Sequence, residues 1–206
     1  MAPDKGIEFN PKTHHRRSIR LAGYDYSQAG AYFVTIVVHQ RRYLFGEITD
    51  GKMELNDYGK IADECWRAIP KHFPHVELGA YVVMPNHVHG IIMVKDPLIG
   101  ATHASPHIAS PHIASPHIAS PQKSPPSRNP SPPRGAPAGS LGAIVGSFKS
   151  AVSKYIHRQP YSAPIWQRNY YEHIIRNDHE MEKIWRYIES NPTQWENDKE
   201  NPSLPF

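Results

Sequence analysis

The chain has 206 residues, with 23 Lys or Arg against 19 Asp or Glu and a formal charge of +4. That is the size of one domain with appendages, and a balance that permits a nucleic-acid partner without demanding one. A single cysteine, Cys65, excludes a disulfide framework and a cysteine-based zinc site. No apolar run approaches the roughly 18 residues of a membrane span, and the first residues lack a signal peptide's apolar stretch, so a cytoplasmic, non-membrane protein is expected.

Residues 1–20 read as a basic arm, five Lys or Arg against two acids. Ala31–His39 (AYFVTIVVH) has the apolar, β-branched pattern of a strand buried on both faces. Leu44–Leu55 reads as a hairpin turning at Asp50-Gly51. Asp57–Ile69 sets Ile61, Ala62, Cys65 and Ile69 on one helical face, and Pro70 ends that helix. Val76–Val83 and His87–Val94 are two strands joined by the turn residues Met84-Pro85-Asn86.

Residues 97–139 then hold eleven of the 21 prolines, three charges (Lys123, Arg128, Arg134) and no Phe, Trp or Tyr. Such a stretch cannot bury enough apolar surface to offset the entropy of ordering it, so it reads as a disordered insertion in a surface loop. SPHIA recurs there at Ser105, Ser110 and Ser115, and repeat expansion accounts for His107, His112 and His117 better than metal binding does. Deleting Leu98–Gly139 and closing with a short linker is expected to leave folding nearly unchanged.

After the insertion, Ser140 caps a helix with the stripe Leu141, Ile144, Val145, Phe148, Val152 and Tyr155. Ile165–Arg176 (IWQRNYYEHIIR) reads as a strand. Asp178 caps a last helix with Met181, Ile184, Trp185 and Ile188 on one face, ending before Pro192. The segment from Asp178 to Glu200, seven acids against three bases, reads as solvated or facing a partner's basic surface. Residues 21–96 and 140–196 thus form one domain, and 197–206 a tail. With the hairpin set aside, the order β-α-β-β-α-β plus a C-terminal helix predicts an α+β, ferredoxin-like (RRM-like) sandwich with an antiparallel sheet.

Two features carry chemistry. In Pro85-Asn86-His87-Val88-His89, side chains two apart on a strand point the same way, so His87 and His89 present two imidazoles on one face while Val88 faces the core. Two neutral imidazoles suit a divalent cation, although spacing alone favours surface or packing histidines. On the last helix, Tyr187 and Asn191 lie one turn apart on the polar stripe. Taken alone, that tyrosine fits a core or interface residue with its hydroxyl wet.

Together these features resemble the single-tyrosine HUH nucleases, and more closely the IS200-like transposases and their REP-associated tyrosine transposase subgroup of bacteria. The likeness rests on RRSIRLAGYDYSQAGAYFVTIVVHQRRYLFG, YVVMPNHVHGIIMV, LGAIVGSFKSAVSKYI, IWQRNYYEHIIRN and WRYIESNPTQW, which cover nearly all of the chain outside the ends and the insertion. The resemblance implies that His87 and His89 hold Mg²⁺ or Mn²⁺, that Tyr187 is the nucleophile and that Asn191 supplies a third ligand. Well-known members have Gln at that last position, and Asn is one methylene shorter. The implied reaction nicks single-stranded or hairpin DNA and transfers the strand through a covalent 5′-phosphotyrosine. The resemblance also implies a nucleoid-associated homodimer, in some members with the tyrosine helix completing the partner's site.

Arg16, Arg17 and Arg20 in the arm, Lys149 and Lys154 on the helix after the insertion, and Arg168 are the candidate DNA-binding cations. Trp166, Tyr170 and Tyr171 are candidates for stacking on unpaired bases, and the two tyrosines are rival nucleophiles. His173 reads as a sheet-face histidine, and Trp66, Trp185 and Trp195 as packing. Two other functions fit the pattern. One is a non-catalytic nucleic-acid-binding ferredoxin-like module, and the other is a phosphodiesterase that uses water as nucleophile.

Overall fold

The computed structural model describes residues 24–95 and 136–202. The arm with Arg16, Arg17 and Arg20, most of the insertion, and residues 203–206 lie outside these. Four strands form one antiparallel sheet in the order β4-β5-β1-β6: β1 (Gly30–Val37), β4 (Val76–Val83), β5 (His87–Val94) and β6 (Tyr171–Ile175). This is the ferredoxin-like order expected. A second, two-stranded sheet pairs β2 (Gly46–Thr49) with β3 (Lys52–Leu55). Asp50 and Gly51 at its tip both have positive φ, 51° and 71°, the backbone a two-residue hairpin turn demands.

Strand β1 is sandwiched because both sheet faces are covered. On one side Tyr32, Val34 and Ile36 meet Trp66 of α1 (Asp57–Arg67) and Ile144, Phe148 and Val152 of α3 (Leu141–Ile156). On the other, Phe33 joins Ala80, Ile91, Ile175 and Ile188 beneath α4 (Asp178–Ser190). The two cores explain why β1 reads as continuously apolar rather than alternating. Among the described residues, no helix is long and apolar enough to cross a membrane.

One contact in the larger core is unusually tight. A Cβ added at Gly90 would lie 2.2 Å from Cζ2 of the fully buried Trp66. Strand β5 therefore needs glycine there for the indole to approach it so closely. Gly90→Ala is expected to cost about 1–3 kcal/mol by forcing the ring or the strand aside, read as a Tm several degrees lower. An unchanged Tm would show that the indole has room to move.

Several boundaries differ from the sequence expectation. Pro70 does not simply end a helix at Ile69: α1 stops at Arg67, and a one-turn α2 (Ile69–His72) carries the proline in its first turn, where a missing N–H costs nothing. Tyr155 is exposed, and Ile156, four residues after Val152, takes the buried place. Ser140 does cap α3, its hydroxyl accepting from Ala143 N. Strand β6 is five residues long rather than twelve. Its ladder with β1 ends at Thr35↔Tyr171, and the next bridge is Val38↔Trp166. Five steps of one strand against three of the other loop residues 167–170 out of the sheet. Lys149 Nζ meets the carbonyls released there, those of Gln167 (2.6 Å), Arg168 and Asn169 (3.4 Å each). Finally, Asn177 rather than Asp178 caps α4, its Oδ1 accepting from Glu180 N.

Residues 136–139, assigned to the insertion by composition, are anchored. Ser140 Oγ donates to Pro137 O, and a ring nitrogen of His75 lies 3.1 Å from Gly139 O, with Gly139 at φ +75°. A deletion that stops at residue 135 is therefore expected to preserve the Tm, whereas one that runs through Gly139 removes this joint and lowers it.

Candidate active site

The site is built where β5 begins. Leu44 N and Phe45 N donate to Pro85 O, Val38 N donates to Asn86 O, and Met84 N donates to His87 O. These bonds fix the turn before the strand. Alternation then sends Val88 into the larger core and His87 and His89 to the opposite face, both 0% exposed, with ring centroids 4.3 Å apart. His87 Nδ1 lies 2.8 Å from Asn86 Oδ1, and His89 Nδ1 lies 2.9 Å from Thr35 Oγ1.

Helix α4 crosses the same face and brings Tyr187 to the pair. Its Oη is 3.2 Å from Nε2 of His89 in the same chain, and its ring stands edge-on to Phe33, which stacks on His89. One turn on, Asn191 is buried and its Nδ2 donates to Asp198 Oδ2 at 2.8 Å. Asp198 was not expected here. After Pro192 a 3₁₀ turn (Pro192–Asn197) reverses the chain and delivers this carboxylate to the imidazoles. Asp198 Oδ2 also accepts from Tyr187 Oη at 3.3 Å and lies 3.9 Å from His89 Nε2. The reading of Asp178–Glu200 as solvated or facing a partner's basic surface is thus corrected at Asp198, which is only 6% exposed and turned to the imidazoles.

His87, His89 and Asp198 each offer a ligand atom within 4.8 Å of the others. Burial pushes both imidazoles below their ordinary range; His89 deepens the effect on His87, and Asp198 opposes it at both rings. Both are therefore neutral at pH 7. Burial pushes the Asp198 carboxyl up, but the His89 ring 3.9 Å away and hydrogen bonds from Asn191 Nδ2 and Glu200 N more than offset this and hold it well below the usual carboxylate range. Burial, then the charge of Asp198, raises the Tyr187 phenol well above its ordinary value. Two buried atoms at this site, His87 Nε2 and Asn191 Oδ1, have no hydrogen-bond partner among the described residues. Two neutral imidazoles, a carboxylate and unsatisfied lone pairs are a donor set that fits a divalent cation such as Mg²⁺ or Mn²⁺.

The remaining candidates are scattered. Lys149 is drawn into the fold by the three carbonyls, and burial brings its ammonium down to about 8, so it is not held out to a phosphate. Lys154 is exposed on α3, which packs on the face of the sheet away from the imidazoles, and Arg168 is exposed in the looped-out segment. Tyr170 packs against the larger core, whereas Tyr171 is exposed on the site's face beyond Phe33. His173 pairs with Glu180 at 2.6 Å, away from the cluster. Trp66 is core, and Trp195 lies over His87 at 6.0 Å between centroids. Trp185, expected to pack, is 39% exposed, and its Nε1 donates to Glu189.

Two cations near the site had no sequence signal, Lys199, whose Nζ lies 5.0 Å over the Tyr171 ring, and Arg41, paired with Glu200. Asp198, Asn86 and Thr35 were likewise missed as site residues. No periodicity links them to the histidines, and only the closed fold does.

No family model matches the chain. A Haemophilus influenzae protein described as uncharacterized is 36% identical over 192 residues, spanning 93% of this chain and 96% of that protein. Among solved structures, that of a REP-associated tyrosine transposase bound to a REP hairpin is similar with a TM-score of 0.53 at 16% identity, over 91% of this chain and 80% of that one. The second likeness is one of fold.

Proposed function

We propose, on the premise that the chain belongs to the same family as its Haemophilus influenzae relative and has the fold of the REP-associated tyrosine transposase, that it is a transposase-type enzyme acting on single-stranded or hairpin DNA through Tyr187. The observation that carries this reading is the meeting of Tyr187 Oη with His89 Nε2 at 3.2 Å and Asp198 Oδ2 at 3.3 Å. It also favours a site working within one chain.

His87 Nε2, His89 Nε2 and Asp198 would hold Mg²⁺ or Mn²⁺, with Asn191 Oδ1 available beside them. The bound ion would withdraw charge from the scissile phosphate's oxygens. Phe33, edge-on to the phenol, and α4 hold the Tyr187 ring beside His89, so the attacking oxygen is positioned in advance. A phenol raised above its ordinary pKa keeps its proton at pH 7, so the proton must leave as the bond forms. Asp198 Oδ2 at 3.3 Å and His89 Nε2 at 3.2 Å are the acceptors in reach of that hydroxyl. Tyr187 Oη then bonds to phosphorus, the bond from phosphorus to the 3′ oxygen breaks, and that oxygen leaves as a 3′-hydroxyl after taking a proton. The link to Tyr187 keeps the phosphodiester's energy, so a second 3′-hydroxyl can reverse the step onto a new end. Lys199 and Arg41 supply positive charge beside the cluster for the flanking phosphates.

The test is incubation with end-labelled single-stranded DNA and Mn²⁺, followed by denaturing electrophoresis. Label at the protein's mass, lost when EDTA is added first, is expected. Cleaved DNA with no protein-linked label would assign the nucleophile to water. Binding without cleavage would leave only the nucleic-acid-binding module.

A further inference from the structure

We infer that Asn86 is a positioning residue: it fixes which nitrogen of His87 carries the proton, and it ties the segment bearing Asp198 to the imidazole pair. The inference rests on the reading that these side chains hold a divalent cation. Asn86 is 0% exposed, and its amide is used on every side. Its Nδ2 donates to Arg41 O at 3.1 Å and to Glu200 O at 2.8 Å, and its Oδ1 faces His87 Nδ1 at 2.8 Å.

These three contacts form a chain of necessity. A carbonyl can only accept, so the two backbone oxygens require the NH₂ end of the amide to point at them. The amide oxygen is thereby turned toward His87, and having no hydrogen it can only accept. His87 must then donate from Nδ1. A neutral imidazole has one proton, so its lone pair lies on Nε2, the buried atom without a partner among the described residues. His89 has no such constraint, because the Thr35 hydroxyl beside its Nδ1 can donate or accept.

The same amide joins three stretches distant in sequence. Arg41 belongs to a turn in which Gln40 and Arg41 both have positive φ, 60° and 51°, a conformation that persists only where the surroundings hold it. Its guanidinium Nε donates to Glu200 Oε2 at 2.9 Å. Glu200 N donates to Asp198 Oδ1 at 2.7 Å, and Tyr43 Oη donates to Asn201 Oδ1 at 2.9 Å. Asn86 thus grips the 198–201 segment at the residue whose own N–H aims the Asp198 carboxylate. Asparagine suits this place because aspartate would set an oxygen against two carbonyls, and alanine would remove the donor that both share.

The test needs no DNA. In the metal-free full chain, long-range ¹H–¹⁵N NMR of the histidine rings is expected to show His87 protonated at Nδ1 and bare at Nε2. In Asn86→Ala, His87 is expected to become a mixture of tautomers, and Mn²⁺ affinity by calorimetry to fall about 10–100-fold, the usual effect of losing a group that orients a ligand. Adding Asp198→Asn to Asn86→Ala is expected to weaken Mn²⁺ binding less than Asp198→Asn does alone, because the segment is already loosened. A wild-type His87 carrying its proton on Nε2, or fully additive losses in the cycle, would overturn the inference. The wild-type spectrum decides the first point even if Asn86→Ala does not fold. A chain that meets these readouts but forms no DNA adduct would remove the proposed function and leave the role of Asn86 standing.

Discussion

Tyr187→Phe is expected to abolish protein-linked DNA, by at least about 10³-fold, while leaving the fold and the metal site in place. The deleted oxygen is the atom that bonds to phosphorus, and phenylalanine has no substitute for it. The ring itself stays supported by its edge contact with Phe33 at 6.0 Å and its tilted contact with His89 at 5.2 Å between centroids. The lost hydroxyl removes one weak bond, to Asp198 or His89, whose net effect on stability is about 1 kcal/mol. Asp198 keeps Asn191 Nδ2 and Glu200 N as donors, so no carboxylate is stranded. Thermal melting and Mn²⁺ calorimetry beside the gel separate a chemical loss from a structural one. A variant with wild-type Tm and Mn²⁺ affinity but no adduct fits the account. Residual adduct near the wild-type level would transfer the role to another side chain, with Tyr171 first in line because it shares the sheet face beyond Phe33.

The second large effect is at Asp198. Asp198→Asn keeps the shape of the side chain but removes the one anion of the cluster. Mn²⁺ affinity is expected to fall about 100-fold or more, since losing a ligand should exceed the 10–100-fold typical of a supporting group. Nicking should fall with it, and excess Mn²⁺ should recover only part, because a proton acceptor beside Tyr187 Oη is also gone. Asn191→Ala makes the comparison sharp. If Asn191 is the third ligand, as the resemblance implies, its loss would be as severe as that of Asp198. With Asp198 as the third ligand and Asn191 Oδ1 uncoordinated, a smaller loss is expected, because the Asn191 Nδ2 then only supports Asp198. Calorimetry of the two variants decides which side chain is the ligand.

The ferredoxin-like order could be read from the sequence because each strand and helix shows its own period, and the short turn at Met84-Pro85-Asn86 forces two strands to be neighbours. The imidazole pair was legible for the same reason: alternation alone puts His87 and His89 together and Val88 opposite. What failed to show depends on partners far away in the chain. Ile165–Arg176 reads as one strand, but residues 167–170 loop out between the Thr35↔Tyr171 pair and the Val38↔Trp166 bridge, so β6 begins only at Tyr171. Asn177 and Asp178 are equally able to cap, and the extended backbone at Asn177 chooses between them. Asp198 sits in a run of charges that looks solvated. Its burial comes from the 3₁₀ turn after Pro192 and from the Asn86 amide, neither of which leaves a local pattern.

The most direct measurement is to trap the DNA adduct with a short end-labelled strand and Mn²⁺, digest the protein, and sequence the nucleotide-bearing peptide by mass spectrometry. The account predicts a phosphotyrosine-linked nucleotide on the peptide that contains Tyr187. A nucleotide on a peptide containing Tyr170 or Tyr171, or on none, would contradict it.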